Sequence, residues 1–290
     1  MSIGALEFTA WEMGEGSLVL CLHGFPDTPA TWRHLLPELA AAGYRAVAVT
    51  SRGYEPSSQP ADGDYSLAAL SGDVIDWIEA LGGPSAHLIG HDWGSSICHL
   101  AAARAPDRIA SLTALAVPHP AGYGAVVASD FAQLERSWYV FFFQAEALSD
   151  LIVGVDDFAF LEHLWRRWSP GWSPDTVALD AMRCAFARPG VKRAALAYYR
   201  TSFNAGHRRA AESAALGAIP LQTPVLALSG AQDGCIPPDV FEASMPEALF
   251  AAGRTLECWT DAGHFLHLEH PDRVARRIDQ WLSGERPAAR

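Results

Sequence analysis

The chain has 290 residues, half of them apolar, which is enough to bury a large core as one big domain or two modest ones. A formal charge of -12 and an isoelectric point near 5.3 exclude the basic face that nucleic-acid binding requires, and they disfavour an anionic substrate. Five scattered cysteines (Cys21, Cys98, Cys184, Cys235 and Cys258), with no Cys-x-x-Cys pair, provide neither a disulfide framework nor a zinc site and read as free thiols in a reducing compartment.

Met1 to Ala10 lacks the basic-then-apolar pattern of a signal peptide. The longest apolar runs, such as Tyr139 to Phe143, are too short to span a bilayer, so a cytoplasmic protein without a membrane partner is expected. Ala5 to Trp11 reads as one strand. Ser17 to Leu22 is a buried strand ending at His23-Gly24, and Trp32 to Ala42 is helical with Gly43 as its stop. A strand at Arg45 to Thr50 follows, then a helix from Leu67 to Leu81 with Leu67, Leu70, Val74, Ile78 and Leu81 on one face. Ser66 can cap that helix and Gly82 can end it. Ala86 to Gly90 is a strand, Ser95 to Ala103 a helix and Ile109 to Val117 a strand. After Pro118-His119-Pro120 the pattern becomes helices and loops rich in aromatics. Strands return at Pro224 to Ser229 and Thr255 to Thr260, and a last helix runs from Asp272 to Leu282 with Val274, Ile278 and Trp281 aligned. Residues 284–290 are expected to fray.

Continuous apolar strands alternating with helices predict an α/β fold with a mostly parallel sheet covered on both faces. Residues 1–120 and 218–290 form the two parts of this core, and 121–217 form a helical cap inserted between them.

The strongest chemical signal is Gly90-His91-Asp92-Trp93-Gly94, placed between a strand and a helix. A sharp strand-to-helix turn strains its central residue, demands small residues two positions to either side, and lifts the central side chain to a helix N-terminus that favours an anion. Asp92 is then a candidate nucleophile. A carboxylate needs no base to attack, but it forms an ester that water must later cleave. Asp233 and His264 each follow a later strand and supply a candidate acid and base, in the chain order nucleophile, acid, histidine. Asp261 is a rival acid, and His267 and His270 are rival bases. The backbone N–H groups of Phe25, in His23-Gly24-Phe25-Pro26, and of Trp93 are candidate oxyanion-hole donors.

At these residues the chain resembles the α/β-hydrolase family and, within it, the epoxide hydrolase branch. The carrying segments are His23-Gly24-Phe25-Pro26, Arg52-Gly53-Tyr54 with Pro56-Ser57-Ser58, the elbow at Asp92, and the Asp233 and His264 loops. The resemblance implies a sheet of about seven to eight strands with the cap inserted after the sixth. Two family cap motifs, Tyr-x-x-x-Phe-Gln and aromatic-Tyr-Arg, match Tyr139 to Gln144 and Tyr198-Tyr199-Arg200. They imply that Tyr139 and Tyr199 hold the epoxide oxygen and protonate it as the ring opens, with Tyr198 the alternative to Tyr199.

The implied partners are a small apolar epoxide and water, with no metal and no organic cofactor, in a monomer or homodimer. Phe25, Trp138, Phe142 and Phe143 are expected to shape the substrate pocket. Two departures stand out: Ala5 to Trp11 supplies one strand where the family usually has two, and Thr50-Ser51 precedes Arg52 where it more often has an aspartate. The rival readings are a haloalkane dehalogenase using the same aspartate, which usually carries Asn in place of Phe25, and a hydrolase-fold binding protein.

Overall fold

A computed structural model describes residues 1–284; the expected fraying of the last residues falls almost wholly outside them. Among the described residues nine strands form: β1 (Ser2–Ile3), β2 (Leu6–Glu7), β3 (Ala10–Met13), β4 (Ser17–Leu22), β5 (Tyr44–Val49), β6 (Ala86–His91), β7 (Ile109–Leu115), β8 (Val225–Gly230) and β9 (Arg254–Trp259). Seven of them make one sheet in the order β3-β5-β4-β6-β7-β8-β9. Only the edge strand β3 runs antiparallel to its neighbour; the other pairs are parallel.

The central strands form where continuous apolar runs are buried on both faces. Leu18, Leu20 and Leu22 of β4 face one hydrophobic cluster, while Val19 and Cys21 face the other. This is the alternation a pleated strand imposes. The helix Leu67–Ala80 starts where expected: the Ser66 hydroxyl accepts from Ala69 N–H at 3.2 Å, and Gly82 past its end takes a φ of +73°. Between β7 and β8 the chain runs through eight helices and no strand, from Pro120–Val127 to Ala210–Gly217.

Two expectations need correction. Ala5 to Trp11 is not one strand: β2 pairs with β1 in a separate hairpin, and β3 begins at Ala10. Between them, the Thr9 N–H and hydroxyl both donate to the buried Glu55 carboxylate at 2.8 Å, and the pairing partner changes there. Trp32 to Ala42 is likewise not one helix. A 3-10 turn at Pro29–Trp32, capped by Thr28, precedes the α-helix Leu35–Ala41. Pro37 has no N–H to give a carbonyl one turn back, so the α-helix starts only just before it.

The buried histidines are unusual in number. Burial pushes His23 and His99 down to about 4 and His119 and His267 down to about 3, and lowers His91 as well. All five are neutral in the fold but take protons once exposed, so acid favours the unfolded chain. Asp27, raised by burial to about 7, and Asp73, also raised by burial, work in the opposite direction but are two groups against five. The thermal midpoint is therefore expected to fall as pH is lowered from about 6.5 to about 4. A midpoint by circular dichroism that stays level or rises over that range contradicts neutral buried histidines.

Candidate active site

Asp92 directly follows β6 and precedes the helix Trp93–Arg104, with φ 53° and ψ -120°. A Cβ on Gly90 would collide with the backbone of Gly94, and one on Gly94 with the carbonyl of Leu22. Glycine at both positions is therefore a steric requirement of the turn. Gly24 serves in the same way, because a Cβ there would occupy the space of the Asp92 side chain. The carboxylate is buried, and its Oδ1 accepts from the Phe25 N–H at 2.7 Å. Trp93 opens the helix directly after it.

Asp233 follows β8 and His264 follows β9. His264 Nδ1 bonds Asp233 Oδ2 at 2.8 Å, and His264 Nε2 lies 3.6 Å from Asp92 Oδ2, an ion-pair distance too long for a hydrogen bond. Asp233 Oδ1 accepts from the N–H groups of Cys235 and Ile236 at 2.6 and 3.0 Å, which fixes the carboxylate plane. Burial opposes charge on His264. The Asp233 carboxylate and its hydrogen bond, reinforced by Asp92, more than offset this and raise the ring from 6.5 to about 10. The rivals are engaged elsewhere. Asp261 is exposed and paired with Arg273, His267 bonds Thr31, and His270 bonds the Asp261 carbonyl.

The two tyrosines arrive on helices Trp138–Gln144 and Val191–Ser202. Their rings meet edge to face with centroids 5.8 Å apart. Both are buried, which raises both hydroxyls well above 10 and keeps them protonated; for Tyr199 the Asp92 charge adds to this. The Tyr139 hydroxyl bonds Cys235 Sγ at 3.3 Å, whereas the Tyr199 proton has no acceptor. Tyr198 donates to the Arg52 carbonyl at 2.7 Å, which leaves Tyr199 as the phenol facing the site. Asp92, Trp93, Tyr139, Tyr199, Cys235 and Ile236 share the walls of one cavity of about 250 Å³.

Trp138, Phe142 and Phe143 do not line that cavity. Trp138 and Phe142 instead cluster with Phe160, and Trp138 is 36% exposed. Phe143, four residues after Tyr139, shares its buried face but is wedged between Phe25 and Tyr199. Phe25 likewise offers its amide to the site and its ring to the core. Cys235 and Ile236 are wall residues that sequence reasoning missed; the available signal was their place just past Asp233.

Among the described residues, two buried groups bring metal-type ligands together: Asp27 with His91 and His267, and Asp233 with Cys235 and His264. In the first, Asp27 Oδ2, His91 Nδ1 and His267 Nδ1 lack protein partners, an arrangement suited to a bridging water. In the second, the acid–imidazole hydrogen bond already occupies His264 Nδ1.

A family model described as the alpha/beta hydrolase fold matches residues 17–271. Epoxide hydrolase 4 of Mus musculus is 32% identical over 279 residues, which is 92% of this chain and 73% of that protein. Epoxide hydrolase 1 of Caenorhabditis elegans is 30% identical over 272 residues; the match takes in 92% of this chain but 65% of that relative's length. The solved structure of a Bacillus megaterium epoxide hydrolase in complex with an inhibitor matches with a TM-score of 0.80 at 26% identity, over 95% of this chain and 96% of that one. An epoxide hydrolase from an endophytic Streptomyces matches with a TM-score of 0.76 at 29% identity, over 96% and 92%. The chain belongs to the α/β-hydrolase fold family, in its epoxide hydrolase branch.

The crowding around Gly24 generates a prediction. Gly24→Ala is expected to leave the protein folded but displace the Asp92 carboxylate, cutting turnover by roughly a hundredfold or more. Wild-type activity in a folded Gly24→Ala variant, measured beside its circular dichroism spectrum, would refute this placement.

Proposed function

We propose that the protein hydrolyses a small apolar epoxide to a vicinal diol through an ester on Asp92. The observation that carries this reading is a single cavity walled by both a carboxylate and two phenols that keep their protons. An alkoxide leaving group needs such a proton; a halide does not. The epoxide names of the relatives point the same way.

In the first step Asp92 Oδ2 attacks a ring carbon while Oδ1 stays on the Phe25 N–H. The carbon–oxygen bond of the ring breaks, and Tyr139 and Tyr199 together hold the oxygen and supply one proton. Esterification removes the Asp92 charge. His264 thereby loses one of the two carboxylates that favour its protonated form, which moves it toward the neutral base that the second step needs. With Asp233 orienting the ring, His264 takes a proton from water, and the resulting hydroxide adds to the ester carbonyl. The developing oxyanion forms on Oδ1, beside the Phe25 N–H and the start of the Trp93–Arg104 helix. Collapse of this intermediate breaks the acyl carbon–oxygen bond to the substrate. The departing alkoxide takes the proton of the added hydroxyl, which frees the diol and restores the Asp92 carboxylate, and the proton taken from water by His264 returns to the phenolate.

A haloalkane dehalogenase would also use Asp92, and the Trp93 indole could meet a halide. Phe25 and the phenol pair favour the epoxide.

Blocking the second step should trap the first. His264→Gln incubated with styrene oxide is expected to gain the mass of one epoxide on the peptide containing Asp92. No adduct with any epoxide, or halide release from haloalkanes without diol formation, would overturn the proposal.

The phenols are tested separately. Tyr139→Phe with Tyr199→Phe should reduce diol formation by about a hundredfold or more, the usual scale of lost general-acid assistance, with each single change milder. A double variant as fast as wild type by diol chromatography removes the phenols from the mechanism.

A further inference from the structure

Resting on that reading, we infer that Cys235 is a positioning residue for the proton donor Tyr139, holding its oxygen and supporting the phenolate that forms as the ring opens. The juxtaposition is specific. Cys235 Sγ lies 3.3 Å from the Tyr139 hydroxyl, and both lie in the wall of the cavity that contains Asp92.

The sulfur sits on a fixed backbone. Its residue's N–H donates to Asp233 Oδ1 at 2.6 Å, and its carbonyl accepts from Gln133 Nε2 at 2.9 Å. Gln133 belongs to the helical insertion and is itself buried, so Cys235 joins the loop of the proposed acid to the segment bearing the proposed proton donor. Burial, with the Asp233 charge, pushes the thiol well above its ordinary 9, so sulfur keeps its proton.

A thiol is a weak donor and a weak acceptor, and Tyr139 needs both roles in turn. In the empty site one hydrogen bond joins the two groups. When an epoxide binds, the Tyr139 proton turns to the epoxide oxygen and the S–H donates to the phenol oxygen. As Asp92 Oδ2 bonds to carbon and the ring C–O bond breaks, one phenolic proton moves to the departing oxygen. The S–H bond remains intact and faces the negative charge left behind. Cys235 gains and loses no proton over the cycle. The Tyr199 hydroxyl has no such support: it is buried with no hydrogen-bond partner among the described residues.

Two near-isosteric variants separate this role from packing. Cys235→Val removes the donor and Cys235→Ser retains one. With styrene oxide in a rapid-quench single turnover, Cys235→Val is expected to slow ester formation about fivefold, the scale of one hydrogen bond, with little change in KM. Cys235→Ser should recover most of the rate. In a Tyr139→Phe background Cys235→Val should have no further effect. Wild-type ester formation in Cys235→Val, or the same slowing with and without the Tyr139 hydroxyl, overturns the inference.

The contact is also read without substrate. In the infrared difference spectrum of wild type against Cys235→Val, one tyrosine C–O stretching band is expected to move to the position of a free phenol. If no band moves, the hydrogen bond is absent and the inference fails, whatever the reaction. If the band moves but wild type makes no diol from any epoxide, the reading of the reaction fails and the contact stands.

Discussion

The turn at Asp92 is the constraint on which the site depends. A non-glycine residue at φ 53° and ψ -120° is strained, at a cost of about 1–3 kcal/mol. The surroundings hold it there. The Asp92 N–H is tied to the Leu115 carbonyl of β7, the Asp92 carbonyl accepts from the first turn of the next helix, and the side chain is fastened to the Phe25 N–H. Three close approaches, at Gly24, Gly90 and Gly94, leave no room for a side chain. Strain, sheet register and glycine placement together fix a carboxylate in one orientation at the floor of the cavity.

Charge is then distributed by partners rather than by depth. His91, His264 and His267 are all buried and mutually close, with ring centroids of 5.0 Å for His91–His264 and 4.4 Å for His91–His267. Only His264 has a carboxylate in hydrogen-bond contact, and it alone is raised, whereas its two neighbours are lowered by burial. One charged imidazole among neutral ones is a consequence of Asp233 being held by two backbone amides and aimed at Nδ1.

Much of this was legible in the sequence because it is local. Strands buried on both faces announce themselves as apolar runs, and the elbow, acid and histidine each follow such a run by a few residues. What was not legible depends on contacts across long stretches of chain. The break between β2 and β3 is set by Glu55, 46 residues beyond Thr9. Only the Arg52 carbonyl, 146 residues away, distinguishes Tyr198 from Tyr199. Trp138 and Phe142 do not reach the cavity because their rings are drawn into a cluster with Phe160, about twenty residues further along the chain. Cys235 looked like one more buried thiol until the insertion brought Tyr139 to it.

The insertion and the sheet also share a single apolar cluster: Trp165, Trp168, Phe143 and Tyr199 are continuous with Leu20, Leu22 and Val47. Swinging the roof away as a body would wet those rings at about 25 cal/mol per Å², or roughly 4–6 kcal/mol for each ring fully exposed. Traffic of guest and diol would therefore fall to small movements of the rim, where Phe203 is half-exposed, rather than to a hinge. Size selection at such a doorway would be inherited from the folding core itself.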